Sequence, residues 1–184
     1  MKQKIYLFLS TSIPYGIAMG LFLSDDFASF LRNGVLGGII FGLLMTVLLL
    51  FIQRKNIDKQ GYKGDPKVSV TAEIKIEGTK QEIFQMCQNS LGTIVKCTIE
   101  VSDIQNGVLK AKAGKTWLTW GDFITFKLEQ LQENTYKLLI TSRPIVKTTI
   151  IDYGKNQDNV NRIIGYFKEV KGDVEVIQDG RNIF

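Results

Sequence analysis

The sequence predicts an α+β protein carried on an N-terminal transmembrane hairpin, and three observations predict it. Residues 5–23 and 35–52 are apolar, free of charged side chains and close to the length that crosses a bilayer. From residue 67 onward, short alternating segments punctuated by Gly, Asn and Pro read as antiparallel strands. Near the end, one apolar stripe at helical spacing gives a helix that can pack on the sheet.

The hairpin comes first. Asp25, Asp26 and Arg32 fall between the two apolar stretches, as a short link. Gly34, Gly38 and Gly42 are spaced by four and share one helical face, and Gly16 and Gly20 do the same in the first span. Small residues let helix backbones approach closely in lipid, where hydrophobicity cannot drive association. These faces either pack against each other or meet another protomer or a larger membrane protein. Pro14 removes a backbone hydrogen bond and predicts a kink, with Ser10, Thr11 and Ser12 nearby to satisfy the freed carbonyl. The spans hold no Asp, Glu, Lys, Arg or His, which argues against an ion or proton pathway.

Residues 53–66, QRKNIDKQGYKGDP, form a basic linker. Residues 1–64 carry seven Lys/Arg and three Asp/Glu, a balance of +4, whereas residues 65–184 carry sixteen and fifteen, a balance of +1. The basic excess belongs to the membrane flanks, so it is no nucleic-acid footprint. Lys2 and Lys4 before the first span, and Arg54, Lys55, Lys59, Lys63 and Lys67 after the second, outweigh the single Arg32 of the link. The expectation is a multi-pass protein of the cell (inner) membrane with both termini cytoplasmic. The linker cations can also meet anionic membrane lipids. A cleaved signal peptide is the rival reading of residues 1–22, but the apolar run is long and no A-x-A-like site follows it.

Residues 67–184 form the cytoplasmic α+β domain. Val68 to Ile76 alternate as a half-buried strand that Gly78 ends. Thr79 and Glu82 make a T-x-x-E capping box for a short amphipathic helix over 80–91, stopped by Gly92. Strands follow over 94–101, 108–113, 117–128 and 136–141, with Asn106-Gly107 as a hairpin turn and Glu133-Asn134 as another. Pro144 bends the chain, and 145–151 reads as an edge strand. Val160, Ile163, Ile164, Phe167 and Val170 make the apolar stripe of the last helix, capped by Asn156 or Asp158 and ended by Gly172. The tail is a short strand or loose.

Strand, helix, meander and long helix in this order resemble the helix-grip domains of the START and Bet v 1 type, many of which hold an apolar ligand between sheet and helix. A more local pattern, Trp117-Leu-Thr-Trp120-Gly121-Asp122, then Ser142-Arg143-Pro144, then Asp152-Tyr-Gly154-Lys155-Asn156, resembles one in uncharacterised bacterial proteins with small membrane anchors. That resemblance implies a class and no mechanism.

Chemistry is sparse. Without histidine there is no Ser–His or Cys–His arrangement, and Cys87 and Cys97 have no ligand companions, so neither catalysis, metal nor cofactor is expected. Glu73, Glu77, Glu100, Asp103, Asp122 and Asp152 are scattered along the chain, though a pair could still meet in space. Trp117 and Trp120 would face opposite sides of a strand, one in the core and one exposed for binding. Arg143 and Asp152 either pair to bridge strand end and helix start, or Arg143 and Lys155 form an anion site with the helix N-terminus. Phe167 is the lid or filling of the sheet. The leading expectation is binding of a lipid-like or other apolar ligand at the inner membrane face. The alternative is a protein-interaction module that assembles or regulates a membrane complex, with a membrane protein or a second copy as partner. A deep cavity between sheet and helix favours the first, and a filled core with exposed apolar surface near the tryptophans favours the second.

Overall fold

A computed structural model of the chain describes residues 2–59, 67–116, 119–172 and 174–179. The chain divides into two compact units, Met1–Asn56 and Ile57–Phe184.

The first unit is a pair of helices, α1 (Lys2–Phe22) and α2 (Phe27–Lys59), both long and apolar enough to cross a membrane. α1 starts before its apolar stretch, and α2 outruns its own at both ends. Arg32 lies inside α2 rather than in the link, because Asp26 starts the helix early by accepting from the Ser29 backbone N–H at 2.9 Å. Residues 53–59, expected as linker, continue the helix, since nothing before Gly61 breaks it. At 33 residues α2 is about 50 Å long, well over the ~30 Å of a bilayer core.

The expected glycines sit at the contact between these helices. A Cβ on Gly16 would lie 2.6 Å from the Gly34 carbonyl oxygen, and one on Gly38 would lie 2.8 Å from that of Ser12. Gly42 abuts Ser12 and Phe8, and Gly20 abuts the Phe30 ring. Tyr15 stacks on Phe41 with centroids 3.9 Å apart. The hydroxyls before Pro14 act otherwise than expected. Ser10 donates to Leu7 O at 2.9 Å, and Thr11 to Leu7 O and Phe8 O, so none reaches the Ser10 carbonyl that proline frees.

The second unit builds one antiparallel six-stranded sheet from β1 (Val70–Glu77), β2 (Cys97–Asp103), β3 (Val108–Ala113), β4 (Asp122–Gln132), β5 (Thr135–Pro144) and β6 (Glu175–Asp179), in the order β2-β3-β4-β5-β1-β6. Helices α3 (Lys80–Ser90) and α4 (Lys155–Lys171) complete it. The Thr79–Glu82 capping box forms as read. Three strand expectations shift. The segment after α3 spends Leu91–Thr93 in a 3₁₀ turn and Lys96 at φ 52°, so β2 starts only at Cys97. Gly121 at φ 99° delays β4 to Asp122. Residues 145–151 form no strand. They turn instead, with Thr149 N–H donating to Val146 O at 3.1 Å. The tail is the strand option, β6 pairing with β1.

One face of the sheet carries the core. Ile74, Ile76, Leu109, Ile124, Phe126, Leu138 and Ile140 meet Ile83 and Cys87 of α3 and Val160, Ile163 and Phe167 of α4, all at most 1% exposed. The space in which a helix-grip domain would hold its ligand is filled by these side chains.

Candidate functional site

The three pieces of the local sequence pattern converge at one end of the sheet. Asp122 opens β4, Ser142 sits near the end of β5, and Asp152 and Asn156 bracket the entry to α4, with Asn159 one turn further on. All five side chains are 0% exposed. Strand register explains the first two. Asp122 pairs with Pro144 and Ile124 with Ser142, so alternation turns Asp122 and Ser142 to the same inner face as the core.

The five side chains form one hydrogen-bonded network. Asn156 is its centre. Its Nδ2 donates to Asp152 Oδ2 at 3.0 Å and to Asp122 Oδ1 at 3.3 Å, and its Oδ1 accepts from Ser142 Oγ at 2.7 Å. Asn159 Nδ2 donates to Asp122 Oδ2 at 3.3 Å and to Ser142 Oγ at 3.1 Å. Asn159 Oδ1 has no partner among the described residues. Burial pushes both the Asp122 and the Asp152 carboxyl above the usual carboxylate range. For Asp122, the neighbouring Asp152 charge adds to the rise, and the Asn159 hydrogen bond opposes it.

Asp152 also shapes the backbone. Its carboxylate accepts from the N–H groups of Gly154 at 3.1 Å and Asn156 at 3.0 Å. Between them Tyr153 and Gly154 take φ 55° and 79°, a left-handed pair that leads into α4. Asp152 thus supplies the helix-start hydrogen bond expected from Asn156 or Asp158, and Gly154 is the N-cap. On the opposite strand, Gly121 has no room for a side chain. A Cβ would stand 2.7 Å from Ala113 O and 3.0 Å from Ile145 Cδ1. The Gly121 carbonyl accepts from Ile145 N–H at 3.1 Å, joining the two loops.

Above this brace the loops 119–121 and 144–153 enclose an open pocket of about 340 Å³. Its walls include Trp120, Pro144, Val146, Ile150 and Tyr153. Trp120 is 69% exposed, with Lys115 Nζ 5.1 Å from its ring centroid.

The residues singled out in the sequence part company here. Trp117 lies outside the described residues. Trp120 is the exposed tryptophan. Arg143 does not pair with Asp152, because strand alternation sends it to the outer face while Ser142 goes inward. Its guanidinium lies 5.1 Å from the Phe123 ring centroid. Lys155 pairs with Asp158 at 3.1 Å. The anion site imagined for Arg143, Lys155 and the helix N-terminus is not assembled: Asp152 already takes the helix N–H, and Arg143 faces away. Phe167 is fully buried core. Nothing in the sequence alone joins Asp122, Ser142, Asn156 and Asn159 into one site. The available signal was a pair of amides, Asn156 and Asn159, leading into the apolar stripe where a helix buries its face.

No family model and no curated protein matches the chain. Among solved structures, it is similar to the crystal structure of an uncharacterised protein from Bacillus thuringiensis, at 11% identity and a TM-score of 0.43, over 57% of this chain and 99% of that one. At that level the likeness informs neither family nor activity.

Proposed function

We propose that the protein is a membrane-anchored interaction module, held by its two-span hairpin with both termini and the α+β domain on the cytoplasmic side of the cell membrane. The domain takes an apolar side chain of a membrane protein partner into the Trp120 pocket. One observation carries this reading: the sheet–helix interior is filled, whereas an open pocket of about 340 Å³ lies between two loops braced from beneath by buried hydrogen bonds. A rigid scaffold presenting exposed loops is the usual arrangement for recognition. Two helices supply anchoring, with charge on the flanks setting orientation.

A photo-crosslinker at Val146, 39% exposed in the pocket wall, tests the reading in the full chain in its native membrane. The expected product is a protein adduct of one defined mass that disappears in Trp120→Ala. Lipid adducts alone would return the domain to the apolar-ligand reading. No adduct dependent on Trp120 would remove the pocket from the function.

A further inference from the structure

The outer face of the sheet is electrically divided, and we infer that its basic end docks on anionic lipid headgroups of the membrane that anchors the chain. The division follows from register. Across β2, β3, β4 and β5, Thr98 faces Lys112, Lys112 faces Phe123 and Phe123 faces Arg143. The next row runs from Val101 through Lys110, Thr125 and Thr141 to Thr71. These two rows hold three cations, four hydroxyls and no carboxylate. Just beyond β3 stands Lys115 over the exposed Trp120, and Lys147 lies in the loop after β5.

The other end of the same face is neutralised. There Lys127 and Lys137 both bind Glu129 at 2.8 Å, and Lys75 meets Glu175 at 3.8 Å. Lys110, Lys112, Lys115, Arg143 and Lys147 have no carboxylate partner among the described residues. The acid nearest along the edge, Glu100, is the extra residue of the bulge in β2 and makes no ion pair among the described residues.

Charge complementarity selects an anionic partner, and the neighbouring Trp120 selects an interface over a dissolved ion. Tryptophan settles at headgroup level, where its ring is half in the apolar phase, and unpaired cations beside it meet lipid phosphates. A hairpin in the same chain keeps such a surface within reach at high effective concentration. The inference rests on the cations of the outer sheet face and shares Trp120 with the pocket wall.

The test uses the full chain in vesicles of phosphatidylcholine, alone or with phosphatidylglycerol. An environment-sensitive fluorophore is placed by Thr98→Cys in a Cys97→Ser background, where the remaining Cys87 is buried. Emission should move to the blue in the anionic vesicles. It should return when salt is raised to 1 M, where the screening length falls to about 3 Å. Lys110→Glu with Lys112→Glu should abolish the shift. Lys75→Glu with Lys127→Glu, an equal change of net charge at the neutralised end, should leave it in place. Equal emission in both vesicle types would overturn the inference, as would a shift that survives the Lys110/Lys112 pair. A shift driven by added polyphosphate or oligonucleotide in phosphatidylcholine alone would assign the face to a soluble polyanion and overturn it too.

Discussion

Asp122 and Asp152 are fully buried, and no cation forms an ion pair with either among the described residues. Amide donors and backbone N–H groups hold them instead. A carboxyl whose folded pKa is raised adds stability that is fully present below its unfolded value, ordinarily 3.8, and is lost as pH rises through the folded value. The native protein should therefore lose stability through these groups from about pH 4 upward. Asp122→Asn removes that slope at one site. Its oxygen keeps the Asn156 bond, and its amide can face Asn159 Oδ1, without a partner among the described residues, once the Asn159 amide turns over. Urea unfolding of the full chain in detergent, across pH, should show the variant gaining on wild type as pH rises. A constant difference would mean that Asp122 titrates as in the unfolded chain. Asp152→Ala is the severe change. It strips the acceptor from Gly154 N–H, Asn156 N–H and Asn156 Nδ2 together, at a cost of about 2–4 kcal/mol in the same assay.

At the scale of elements, much was legible because local rules set it. The alternation of β1, the Thr79–Glu82 box and the stop at Gly172 each depend on neighbours a few residues apart, and each formed. The buried network could not be read this way. Its bonds join residues 14, 17, 34 and 37 positions apart, and they exist only once β4, β5 and α4 are in register. Asn156 looked like a cap because asparagine favours that position in isolation, yet Asp152 took the role. Arg143 looked like a site residue, and a one-residue alternation sends it to the far face. Two changes probe the elements. Phe167→Ala should cost about 3–5 kcal/mol of domain stability, since its ring is wholly enclosed between α4 and the sheet. A loss below about 1 kcal/mol would mean an interior that relaxes around it. Gly38→Leu should lower disulfide crosslinking between cysteines placed on α1 and α2, because a Cβ at this position would stand 2.8 Å from Ser12 O. Unchanged crosslinking would point the glycine face elsewhere.

For the whole molecule, the proposed function gives anchoring and recognition to separate units, with the buried network beneath the pocket loops. Reporters active only in the cytoplasm, fused to either end, should both be active; a silent C-terminal reporter would overturn the orientation. We infer that the buried network holds the pocket loops in place, and hydrogen exchange on the full chain, wild type against Asn156→Ala, tests this. Asn156 touches Ser142, Asp122 and Asp152 at once, so its loss should release protection in residues 119–121 and 144–153 while β1 and β5 stay protected. Unchanged protection in those loops, or an equal loss throughout the domain, would contradict the claim.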